Sequence, residues 1–169
     1  MSNLFVTTCS KCGCVFADNG TKICLICEDR QIKVKLLNKS AKLPTKGSEY
    51  AVGYDLYASE SIMVRQGCTA LIPTGIAVAI PPGFEGQVRS RSGHAKNGLV
   101  VANSPGTIDP DYRGEVGVLL HNQGKFAKLI KLHERVAQLV IQTVPSCDFV
   151  VTDCLDETER GGGGFGHTG

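Results

Sequence analysis

Between Gln31 and Val144 the apolar residues come in short runs, and none of these runs keeps a helical period. The runs are QIKVKLL, YDLYA, CTALIPTGIAVAI, GQVRSRS, LVVAN, EVGVLLHN, FAKLIKL and ERVAQLVIQTV, with turn residues at PPG, NSPG and DPDYRG between them. Val, Ile and Leu dominate, and several runs alternate. Short strands punctuated by Gly, Pro, Asn and Asp predict an all-β sandwich or barrel. Ile32, Val34 and Leu36 alternate as a half-buried strand does, and the lysines between them suit a solvated strand edge. One turn of helix is expected near Gly93–Asn97, and no internal repeat is present.

With 169 residues, 42% of them apolar, the chain can hold one domain with a real core and a small appendage. The sequence holds no apolar run of about eighteen residues, so no membrane span is expected. The start, MSNLFVTTCSKCGC, lacks the basic-then-apolar layout of a signal peptide. A cytoplasmic location with reduced thiols is the resulting expectation. A net charge of +2 gives no general pull toward nucleic acid.

Five of the eight cysteines fall between Cys9 and Cys27. Residues 1–30 read as a separate module too small to bury a core, which calls for a staple. Two CxxC pairs, Cys9/Cys12 and Cys24/Cys27, lie eleven residues apart. Each pair suits a tight knuckle, and two knuckles close a four-thiolate Zn²⁺ cage of the zinc-ribbon kind. Cys14 is a spare thiol or a rival ligand. A redox CxxC pair is the alternative. Lys11, Lys22 and Arg30 are balanced by Asp18, Glu28 and Asp29, so a structural or protein-contact role is at least as fitting as nucleic-acid binding. Cys68, Cys147 and Cys154 lie among apolar residues and are expected to be buried thiols.

Residues 31–155 form the expected β domain, and 156–169 a flexible Gly-rich arm. Polar groups interrupt this region at AVGYDLYA, RSGHAKNG, NSPGTIDPDYRGE (read as a long hairpin), ERVAQ and the terminal RGGGGFGHTG. Taken singly, each has a bland reading as a turn or solvated surface. Together they supply anion-binding groups, separated carboxylates and an aromatic ring on a glycine arm, which suits a nucleoside triphosphate.

In this order the five stretches resemble the five motifs of the trimeric dUTP pyrophosphatases (dUTPases), over about residues 31–169. The resemblance implies a β-barrel or jelly-roll subunit in a homotrimer with shared active sites, hydrolysing dUTP to dUMP and pyrophosphate with Mg²⁺. It implies that Asp55 helps hold Mg²⁺ through water. Arg91, Ser92 and Gly93 would bind phosphates, with Gln138 reaching the phosphate chain and Arg135 in support. Asn103, with Gly106, Thr107 and Ile108, would read the uracil edge. Asp109 would orient the attacking water, and Tyr112 would pack on the deoxyribose. In the arm, Phe165 would stack on the base beside Gly166, while Arg160, His167 and Thr168 would engage the outer phosphates.

Two departures stand out. RSGHAKNG is one residue shorter than the usual second motif, with His94 where an apolar residue is common, and His133 stands where a glycine is usual. A dCTP deaminase-type relative is a rival reading, but no deaminase-type glutamate occurs in the NSPGTIDPDYRGE stretch. A regulator that binds nucleic acid or protein through the zinc-ribbon head, on a nucleotide-sensing scaffold, is another.

Overall fold

The computed structural model of the chain describes residues 5–8, 15–18 and 31–166. It is built almost entirely of strands, as the short apolar runs require. These are β1 (Phe5–Thr8), β2 (Val15–Asp18), β3 (Lys33–Leu36), β4 (Thr45–Lys46), β5 (Tyr54–Tyr57), β6 (Ile62–Val64), β7 (Thr69–Ile72) and β8 (Ile76–Ala79). They continue with β9 (Phe84–Arg89), β10 (Leu99–Val101), β11 (Gly106–Ile108), β12 (Val118–Asn122), β13 (Lys128–Ile130) and β14 (Arg135–Thr143). A single helical turn, α1 (Ser92–Ala95), joins β9 to β10. Among the described residues no helix is long and apolar enough to cross a membrane.

The strands pair antiparallel. A five-stranded sheet runs β11-β9-β14-β5-β4, and a three-stranded sheet runs β10-β12-β7. Two-stranded ladders join β3 to β8, β6 to β13 and β1 to β2. One core fills the space between the two larger sheets and the β6–β13 ladder. Leu56, Val88, Val136 and Leu139 of the larger sheet cluster with Ile72, Val118 and Leu120 of the smaller one and with Val64 and Ile130. β12 shows the pattern that produces this: Val118, Leu120 and Asn122 are buried, and Leu119 and His121 turn the other way. Each fully buried Leu or Ile contributes about 1.5–3 kcal/mol.

Several expectations need correction. The NSPGTIDPDYRGE stretch is not one hairpin: β10 pairs with β12, while β11 crosses to pair with β9 in the other sheet. Cys68, Cys147 and Cys154 are exposed. Cys68 sits in the turn before β7, and the other two lie beyond the last strand, so their apolar neighbours in sequence do not bury them. Leu36 is 50% exposed, and only Ile32 and Val34 of the expected alternation pack on the core. The last strand, β14, ends at Thr143. Val144 N–H donates to Gly83 O, and from there to Gly166 every hydrogen bond among the described residues is internal to the segment.

Asn122 is the polar joint of the core, with 2% exposure. Its amide donates to Val64 O at 3.0 Å and Phe126 O at 2.9 Å, and its carbonyl accepts from Gly124 N–H at 3.0 Å. Asn122→Ala leaves these buried groups without partners and is expected to destabilise the fold by about 2–4 kcal/mol, read by urea denaturation.

Candidate active site

Two separate clusters gather the expected residues. The first is centred on Asp55 in β5, where the carboxylate is carried into the interior at 3% exposure. A buried carboxylate needs partners, and here two arginines supply them. Arg91 Nε donates to Asp55 Oδ1 at 2.9 Å, and Arg135 Nη1 donates to Oδ2 at 3.2 Å. Arg91 follows β9 in an extended conformation, and Arg135 begins β14. Arg91 Nη1 also donates to Arg135 O at 3.3 Å.

Gln138 lies opposite Asp55 on one side and opposite Arg89 on the other, so the three side chains share a face of the sheet. Gly53 makes room for it: a Cβ there would stand 3.1 Å from Gln138 Cβ. Ser92 and Gly93 are exposed on α1, and nothing approaches within 4 Å of where a Cβ on Gly93 would be. This cluster offers guanidinium, amide, hydroxyl and backbone donors to an anion.

The second cluster is an open cleft of about 490 Å³ lined by Asn103, Thr107, Ile108, Asp109 and Tyr112. β11 carries Thr107 and Ile108 along its rim, and Asp109 follows directly. Asn103 lies over Gly106, where a Cβ would meet its Nδ2 at 3.0 Å. Tyr112 is held at both ends: its N–H donates to Asp109 O at 3.1 Å and its hydroxyl to Glu115 O at 3.0 Å. The cleft thus sets an amide, a carboxylate and a phenol ring around a space of nucleoside size.

Sequence reasoning missed the cleft's back wall. Leu71, Pro73 and Leu119 come from β7, β12 and the turn after β7. They look like ordinary strand residues, and no local signal marks them. Glu115 was also missed; its carboxylate accepts from Gly75 N–H at 2.6 Å. A larger groove of about 810 Å³ beside Tyr50, Val52 and Ile141 holds none of the expected site residues.

Among the described residues no hydrogen bond joins the two clusters, and none of Asp55, Arg91, Ser92, Arg135 and Gln138 lines the Asp109 cleft. Phe165 is fully exposed, and Arg160 Nε donates to Gly163 O at 2.8 Å within the arm. His167 and Thr168 lie outside the described residues, as do Cys9, Cys12, Cys24 and Cys27.

No group of three or more potential metal ligands occurs among the described residues. Both oxygens of Asp55 already accept from guanidinium groups. This donor set does not make a protein cage. It fits a magnesium ion that keeps most of its water and binds mainly to phosphate oxygens.

The dUTPase family model matches residues 39–169. A deoxyuridine 5'-triphosphate nucleotidohydrolase of Syntrophotalea carbinolica is 50% identical over 141 residues, covering 82% of this chain and 96% of that protein. One of Rickettsia typhi is 50% identical over 143 residues, covering 82% and 97%. Among solved structures, a dUTPase of Staphylococcus bacteriophage 80alpha with dUpNHpp superposes with a TM-score of 0.75 at 29% identity, covering 83% of this chain and 99% of that one. A dUTPase from phage phi11 of S. aureus, described with a structural Mg(II) ion, shares the fold with a TM-score of 0.70 at 24% identity, over 75% and 99%. A profile match over most of the chain and half-identity to full-length relatives lead to one conclusion: the chain belongs to the dUTPase family.

Proposed function

We propose that the chain hydrolyses dUTP to dUMP and pyrophosphate in sites shared between the copies of a homotrimer. The observation that carries the reading is the cleft that sets Asn103, Thr107, Ile108, Asp109 and Tyr112 around one space. Asn103 and the backbone of Gly106–Ile108 read the uracil edge. Cytosine presents the opposite donor–acceptor pattern and leaves these groups unpaired, which gives large discrimination. Tyr112 packs on the deoxyribose and leaves no room for a 2′-hydroxyl.

The Asp109 carboxylate orients a water and takes its proton as the water oxygen attacks the α-phosphorus. The bond from that phosphorus to the bridging oxygen breaks, and pyrophosphate leaves. Arg91, Ser92, Gly93 and Gln138 hold the phosphate chain, with Arg135 in support. Asp55 would help hold a magnesium ion through water, and that ion would supply positive charge against the phosphate oxygens. Arg160, His167 and Thr168 close on the outer phosphates while Phe165 covers the base beside Gly166.

The shared site is supported by the separation of the two clusters within one chain. The segment after β14 supports it as well. Phe149, Val150, Val151 and Leu155 are 83–103% exposed, and a neighbouring copy offers them cover. For the head, four thiolates from Cys9, Cys12, Cys24 and Cys27 are assigned to Zn²⁺. β1 and β2 pair up to Thr8 and Val15, on either side of the Cys9–Cys14 segment.

The purified protein with Mg²⁺ should release pyrophosphate from dUTP far faster than from dTTP or dCTP; equal rates would sink the reading. Asp109→Asn should lower kcat by about 10²–10⁴-fold with the fold intact. Ser92→Ala and Asp109→Asn chains, each impaired, should regain roughly a quarter of wild-type turnover when refolded together, as expected if one site draws on two chains. No recovery would place each site within one chain. Metal analysis should find one zinc per chain, lost on replacing Cys24 and Cys27 by Ser.

A further inference from the structure

We propose that His94 is a positioning residue for triphosphate binding, holding the Ser92–Gly93 turn against the start of β14. The proposal rests on the reading of Ser92 and Gly93 as phosphate-binding groups. α1 has four residues and buries none of them. A turn this short has no stability of its own, so its place is set by what its side chains reach. His94 Nε2 lies 2.8 Å from Arg135 O. A carbonyl oxygen only accepts, so Nε2 carries the proton and donates.

The groups around the ring are fixed in turn. Glu134 Oε1 stands 3.7 Å from the same nitrogen, and the His94 side chain is 12% exposed. Glu134 Oε2 accepts from Lys131 N–H at 2.9 Å, and Glu134 N–H donates to Lys131 O at 2.9 Å. Arg91, on the other side, also donates to Arg135 O. The register of β14 against β5 shifts between Arg135 and Ala137, and at this irregularity the Arg135 carbonyl accepts from two side chains of the phosphate segment.

Asp109 lies in the other cluster, so loss of the His94 bond should affect binding before chemistry. Glutamine places an amide Nε2 about where the imidazole Nε2 lies, whereas asparagine stops short. His94→Leu and His94→Asn should raise KM for dUTP about tenfold with kcat changed less than about threefold, and His94→Gln should stay within about twofold of wild type. Circular dichroism confirms folding; if His94→Leu does not fold, the Gln and Asn pair decides. Equal KM for His94→Gln and His94→Asn, or an unchanged KM in folded His94→Leu, would overturn the proposal. Long-range ¹H–¹⁵N spectra of the wild-type chain give a readout free of activity: the His94 proton should sit on Nε2, and a proton on Nδ1 would remove the bond. Failure of the wild type to hydrolyse dUTP would count against the proposed function, while the spectra would still decide the bond.

Discussion

A single buried carboxylate organises the cluster shared by β5, β9 and β14. Asp55 sits at 3% exposure with one guanidinium on each oxygen. Neither strand pairing nor the apolar core explains an ionisable group at that depth. Removing either arginine leaves the charge short of a partner, which is costly in the interior. The two arginines also enter from different places, the end of β9 and the start of β14. Their bonds to Asp55 therefore register three segments against one another. Gln138 and the α1 turn take their positions from that frame.

Much of this was legible in the sequence, and the reasons differ by residue. The eight apolar runs became strands because alternation and β-branched residues report directly on a half-buried sheet. Asp55, Arg91, Asn103, Asp109 and Gln138 stood out because polar groups interrupt those runs. β4, β6 and β11 did not stand out, with two or three residues each and no period to read. β11 was hidden by its neighbours as well. Its Gly106-Thr107-Ile108 lies between Pro105 and Pro110, so the stretch reads as part of a long hairpin, although it pairs with β9. The exposed cysteines were misjudged because local hydrophobicity says nothing about whether a segment packs on a sheet. Cys147 and Cys154 have apolar neighbours that are themselves exposed.

The division into two clusters has a topological cause. β11 is at one edge of the five-stranded sheet, while β5 and β14 lie on the far side of β9. Asp109 leaves from the edge strand, and Asp55 lies three strands further in, beyond β9 and β14. Side chains at such places diverge unless a loop bends one toward the other. The segment after β11 instead folds on itself, through Tyr112 to Asp109 and Glu115 and through Arg113 to Pro110 O at 2.6 Å. The cleft is thereby braced from within its own segment.

The two histidines that depart from the family pattern do the same physical work. His94 Nε2 bonds Arg135 O at 2.8 Å, and His133 Nε2 bonds Ser40 O at 2.9 Å. Each puts an imidazole N–H on a backbone carbonyl that a glycine or an aliphatic side chain could not reach. His133 does so from a left-handed conformation, φ +63°, which a glycine would adopt without strain. An L-residue at that φ carries strain, and the bond to Ser40 offsets it. The turn from Lys131 to Arg135 is consequently tied on one side to the segment that leads into β4 and on the other to α1. The connection between them passes through side chains, and the turn before β14 becomes the common anchor.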